Sequence, residues 1–100
     1  MPPLEPAVRA YVAAFIGGDG ATAFALLSDR CQKKEGENSF VLVARMAHEQ
    51  YGSATIVSYH DAVSGSTATA TYEMSDPALN RSGPQPWEFE NGAWRMDRCP

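Results

Sequence analysis

Trp87-Glu88-Phe89-Glu90-Asn91-Gly92-Ala93-Trp94-Arg95-Met96-Asp97-Arg98-Cys99 is the stretch whose reading decides the fold. Trp87 and Phe89 alternate with polar residues, and so do Trp94 and Met96. Asn91-Gly92, between the two runs, is the strongest short-range signal for a tight hairpin turn. One face of this hairpin is heavy with aromatic and sulfur side chains and must be covered. The segments able to form covering helices lie at the other end of the chain. The expected class is therefore α+β, with helices first and an antiparallel sheet of about four strands last.

Working back from the hairpin, Ser75 to Pro86 holds three prolines and one glycine and reads as a loop. Thr67 to Glu73 is an alternating strand, with Ala68, Ala70 and Tyr72 on one face and Thr67, Thr69, Thr71 and Glu73 on the other. Small residues on a covered face let a helix approach or leave a cavity. Ser64-Gly65 makes the preceding turn, and a further strand runs from Ala54 to about Ala62. Two registers stay open for it: Ile56, Ser58 and His60 face inward, or Val57, Tyr59 and Asp61 do, because a one-residue slip reverses every facing assignment.

Three helices precede the sheet. The first spans Glu5 to Ile16, with Pro6 in its first turn and Val8, Tyr11, Val12 and Phe15 at helical spacing. Gly17-Gly18 ends it, and Asp19 caps a second helix from Gly20 to Leu27 that buries Ala23, Phe24 and Leu27. Ser28 to Cys31 reads as the frayed end of that helix, and Gln32 to Glu37 as charged loop. Asn38 or Ser39 caps a third helix to Tyr51, with Phe40, Val43, Ala44, Ala47 and Tyr51 as its inward stripe. The 100 residues make one domain, with residues 1–4, rich in proline, as a stiff linker remnant.

Net charge is −4 and the 8 basic residues are scattered, so the clustered lysines and arginines of a nucleic-acid surface are missing. No apolar run is long enough to span a bilayer. Met1-Pro2-Pro3-Leu4-Glu5-Pro6 lacks the basic start and apolar stretch of a signal peptide. The location is cytoplasmic, or extracellular or cell-envelope with an export segment or tether removed. Cys31 and Cys99, the only cysteines, are either two separate buried thiols or a bridge closing a loop of roughly 70 residues, which would stabilise by about 4 kcal/mol in the chain-entropy model. A bridge implies an oxidising compartment. Two thiolates alone build no metal site, and there is no CxxC, no His-x-x-x-His, no phosphate loop and no nucleophile elbow. No metal and no cofactor is expected.

Several phrases resemble the nuclear transport factor 2-like (cystatin-like α+β) superfamily, and in particular its small exported actinobacterial members of unknown function. Ala7-Val8-Arg9-Ala10-Tyr11-Val12-Ala13-Ala14-Phe15 followed by Gly17-Gly18-Asp19 is similar to that family's first helix and its Gly-Asp break. Ala25-Leu26-Leu27-Ser28 with Cys31 resembles its second helix and first cysteine. Gly92-Ala93-Trp94-Arg95-Met96 with Cys99 resembles its terminal Gly-x-Trp strand and second cysteine. The resemblance covers nearly the whole chain. It implies helices wedged into a cone-shaped sheet, often with a pocket inside, together with a disulfide and export behind a lipid anchor or membrane tether. The chain departs from the family in being shorter than many relatives and in showing no export segment.

Three functional expectations follow. The first is an exported binding domain that is not an enzyme. It would hold a small apolar ligand or an envelope protein in or around a pocket between the first and third helices and the sheet, walled by Tyr11, Phe15, Phe40, Tyr51, Tyr72, Trp87 and Trp94. The second is a small isomerase- or dehydratase-type enzyme with Tyr11 polarising an oxygen beside an inward-facing acid, Asp61 or Glu73. His48 reads as a solvated helix-end residue. His60 and Asp61 are neighbours on a strand, point to opposite faces and so form no dyad. Asp29 and Asp76 read as turn or capping residues. The third expectation is a homodimer through the sheet, by an exposed face or by the Thr67–Glu73 strand.

Overall fold

A computed structural model describes residues 1–80 and 83–99. Its elements are α1 (Glu5–Ile16), α2 (Gly20–Ala25), α3 (Asp29–Glu35), α4 (Glu37–Tyr51), β1 (Ile56–Ser64), β2 (Thr67–Met74), a 3-10 turn at Pro77–Leu79, β3 (Gln85–Glu90) and β4 (Ala93–Met96). The strands form one antiparallel sheet in the order β1-β2-β3-β4. The class is α+β, as expected. Arg81 and Ser82, which the sequence assigns to a loop, lie outside the described residues.

Val8, Val12 and Ile16 recur at one-turn spacing and bury one stripe of α1. Gly18 then turns the chain at φ 79°, a conformation glycine adopts at little cost. Asp19 accepts the Thr22 N–H at 3.3 Å and starts α2. Gly20 is buried where α2 crosses α4, and a Cβ there would lie 2.6 Å from Val41 Cα.

The expected frayed end and charged loop instead form a separate helix, α3. Ser28 adopts extended backbone and its hydroxyl accepts the Cys31 N–H at 3.3 Å. Lys33 and Lys34 fall in the last turn, where the helix dipole favours cations. Periodicity gave no signal because this short helix buries one residue, Cys31. Gly36 at φ 73° leads straight into α4. On α4, Phe40 and Ala44 are buried and Ala47 and Tyr51 pack against the core, but Val43 lies off this stripe and is exposed.

In the β3–β4 hairpin Trp87 faces Met96 and Phe89 faces Trp94. Asn91 and Gly92 both have positive φ, 52° and 79°, as a two-residue hairpin turn of matching twist requires. Ala68 and Ala70 are buried on the same face, with Ala68 directly opposite Trp87. β3 begins at Gln85, two residues before the alternation becomes visible in the sequence.

Strand β1 follows neither simple register. Ile56 pairs with Met74, but Ser58 pairs with Glu73, so Val57 is an extra residue in the ladder. Beyond this bulge Tyr59 faces Tyr72, Asp61 faces Ala70 and Val63 faces Ala68. Ile56, Tyr59, Asp61 and Val63 therefore share the helix-side face, while Ser58, His60 and Ala62 share the outer one.

Both chain ends are tied to this frame. Cys31 and Cys99 form a disulfide with Cα atoms 5.1 Å apart. The Trp94 indole N–H donates to the Pro2 carbonyl at 2.9 Å, and Leu4 is buried. The outer edge of β4 is closed by the Leu26–Ser28 segment: Met96 N–H donates to Leu26 O at 2.9 Å, and Ser28 N–H donates to Met96 O at 2.8 Å. The outer edge of β1 pairs with no strand among the described residues.

Candidate functional site

The seven aromatic residues expected to wall a pocket lie in one layer between the helices and the sheet. Trp87, Trp94 and Phe40 belong to the buried core, and Tyr11, Phe15, Tyr51 and Tyr72 are partly buried against it. Tyr11, Phe15, Phe40 and Trp87 pack ring against ring. Tyr11 meets Trp87 edge-on with centroids 6.0 Å apart and stacks on Phe15 at 6.1 Å. Phe15 meets Phe40 at 5.5 Å, and Phe24, absent from the expected wall, meets Phe40 at 5.8 Å. Rings at these separations fill space and contribute about 0.5–1.5 kcal/mol per pair beyond their buried area.

Two clefts open elsewhere. One, of about 450 Å³, lies on the outer face of the sheet among Ala62, Ser64, Thr67, Thr69, Pro86 and Glu88. The other, of about 350 Å³, lies between α1 and the start of β1, lined by Arg9, Val12, Ile16, Ala54, Thr55 and Ile56. Of the seven expected wall residues, Trp87 alone lines either cleft. Its indole N–H is also buried with no hydrogen-bond partner among the described residues.

One cluster of polar groups forms at the open rim between α1 and β1. The Tyr59 hydroxyl donates to Asp61 Oδ2 at 2.8 Å. The Arg9 guanidinium carbon stands 5.9 Å from the centre of the Tyr59 ring, and Arg9 Nε donates to Glu5 Oε2 at 2.8 Å. Desolvation raises the Tyr59 phenol well above the ordinary tyrosine range; the hydrogen bond to Asp61 and that residue's charge act in the same direction. Tyr59 thus stays a neutral donor, and Asp61 is exposed to solvent. The pairing follows from strand geometry, since residues two apart share a face. Choosing between two candidate registers hid it, because the bulge at Val57 combines the inward residue of one with the inward residues of the other.

The remaining candidates are dispersed. Glu73 pairs with Ser58 on the outer face, so it does not approach Tyr11. His60 pairs with Thr71 on that same face, opposite to Asp61, as the strand period requires. His48 Nδ1 lies 2.9 Å from the Ile16 carbonyl, and a carbonyl can only accept, so the proton sits on Nδ1 and ties α4 to the end of α1. Asp76 accepts the Ala78 N–H at 3.0 Å. Asp29 starts α3, and its N–H donates to Glu90 Oε1 at 2.7 Å. No group of three His, Cys, Asp or Glu residues suited to a metal occurs among the described residues. No helix among the described residues is long and apolar enough to cross a membrane.

A feature the sequence reading missed lies on α4. Leu42, Val43 and Met46 are 55%, 51% and 59% exposed, grouped within about one turn away from the core. Reading Val43 into the inward stripe concealed this patch. Compared with protein-family models, with curated proteins and with solved structures, the chain matches none of them.

Proposed function

We propose that this chain is a non-enzymatic binding domain of the cell exterior that engages an envelope protein through its outer surface. The observation that carries the reading is the apolar patch of Leu42, Val43 and Met46 on α4. It leaves three large side chains in water while the interior rings are in mutual contact. Exposed apolar clusters on small domains commonly mark contact surfaces. The Cys31–Cys99 bridge fits an oxidising, extracellular location, where such staples persist. The order of helices, the curved sheet and this bridge accord with the resemblance to small exported nuclear transport factor 2-like proteins.

A photo-cross-linking residue at Met46, compared with one at exposed Lys34, tests the reading in intact producing cells. The expected result is one discrete protein adduct from position 46, reduced about tenfold by Leu42→Asp. Identical adduct patterns from both positions would count against it. A second reading, an apolar ligand carrying one acceptor inside the ring layer, is favoured by the buried, unpaired Trp87 N–H. A small molecule retained at unit stoichiometry in native mass spectrometry would support that reading instead. The enzyme alternative would place its acid at Asp61, on the α1–β1 rim, hydrogen-bonded to Tyr59.

A further inference from the structure

The two edges of the sheet are treated differently. The edge of β4 is occupied by Leu26–Ser28 through two backbone hydrogen bonds. The edge of β1, nine residues long, has no strand beside it among the described residues. Long unpaired edges are normally blunted by lysine, proline or brevity. Ile56-Val57-Ser58-Tyr59-His60-Asp61-Ala62-Val63-Ser64 has neither lysine nor proline. Its features of this kind are the bulge at Val57, at the far end from the hairpin, and the helix-side carboxylate of Asp61. Val57 and Val63, the two exposed large apolar residues of β1, are 61% and 50% exposed and lie three residues to either side of His60.

We infer that β1 is the contact surface for a second copy of this chain, which adds antiparallel across a two-fold axis at His60 to make one continuous eight-stranded sheet. β2 cannot serve, because Thr67–Ala70 is paired on both sides and the Met74 N–H is taken by Asn80 Oδ1 at 2.7 Å. Residues that oppose each other across a ladder share a face, so a two-fold pairing places one residue opposite its own copy.

Charge selects which residue that is. An axis at Asp61 sets two carboxylates against each other, which is unfavourable. An axis at Tyr59 forces the bulged Val57 into the ladder. An axis at His60 uses the regular block of residues 58–62 and sets each Tyr59 opposite the Asp61 of the other copy. The incoming carboxylate then arrives beside the ring that Arg9 covers, so two guanidinium groups, each already bonded to the Glu5 of its own chain, gain a second carboxylate on the helix-side face. Val57 of one copy and Val63 of the other flank the block at both ends. The same valines and the same donor–acceptor pair are used twice, which is the self-complementarity a two-fold interface needs.

The test is sedimentation over a range of concentrations together with three single-cysteine variants at outward-facing, exposed positions, each retaining the native bridge. The wild type is expected to show a reversible monomer–dimer equilibrium. His60→Cys, facing its own copy, is expected to oxidise to a linked dimer about tenfold faster than Ser58→Cys or Ala62→Cys alone. A mixture of Ser58→Cys and Ala62→Cys should link to each other, since residue 58 faces residue 62. A wild type that stays monomeric at every concentration overturns the inference. So does a His60→Cys protein that links no faster than the other two.

Discussion

Gly18 and His48 hold the end of α1 against α4 from opposite sides. Gly18 has φ 79°, and a Cβ added there would meet the His48 Cβ and ring at 3.1 Å. Gly18→Ala therefore combines backbone strain with crowding and is expected to cost about 1–2 kcal/mol, read as a lower urea midpoint. His48→Ala removes the ring part of the obstacle, though not its Cβ, together with the bond to Ile16 O, so the double variant should lose less than the sum of the singles. Tyr59 makes a different kind of prediction. Its phenol is raised above the usual range, chiefly by desolvation, so the folded state binds the proton more tightly than the unfolded chain. The stability this supplies is fully present below the ordinary tyrosine pKa, about 10, and is lost as pH rises above it. Tyr59→Phe is expected to flatten the alkaline fall in the thermal midpoint and to remove a late step from the ultraviolet phenol titration. An unchanged alkaline profile would mean that Tyr59 is no more protected than a free phenol.

Two elements show how short-range chemistry decides what hydrophobic period does not. The start of α3 rests on Ser28, which is buried, caps the Cys31 N–H and donates to Asp97 Oδ1 at 2.6 Å. Ser28→Ala removes a cap and leaves Asp97 one donor short, although Arg30 also reaches that carboxylate. A loss of about 1–2 kcal/mol in chemical denaturation is expected. In β1 the bulge at Val57 is what lets Ile56 and Tyr59 face the same way. Deleting Val57 restores plain alternation from Ile56 to Val63 without turning any side chain over, so stability should change by less than about 1 kcal/mol. Deleting His60 instead reverses Asp61 to Ser64 against β2 and should be far more damaging. Equal cost for the two deletions, measured by urea unfolding, would refute this account of the strand.

At the scale of the molecule, the Cys31–Cys99 bridge joins the middle of the helical half to the segment that follows the last strand, across 68 residues. A loop of that size contributes about 4 kcal/mol by restricting the unfolded chain. Small domains total about 5–15 kcal/mol, so reduction, or paired replacement of both cysteines by serine, should lower the thermal midpoint by well over 10 °C. A midpoint shift of only a few degrees would show that packing alone holds the helices on the sheet. The sequence by itself determined the features that depend on local period and turn chemistry. These are α1 from Glu5 to Ile16, the Asp19 cap, the alternation of Ala68, Ala70 and Tyr72, the Asn91-Gly92 turn, and the α+β order that follows from a hairpin needing cover. Only the tertiary structure decided the rest. It turned Asp29–Glu35 into a helix held by one serine and one disulfide, placed Val43 outside, set Tyr59 and Asp61 on the helix-side rim, and closed one sheet edge while leaving the other open. Each of these depends on a single inserted residue, a long-range bond or which neighbour arrives first at a surface, and none of those leaves a repeating pattern along the chain.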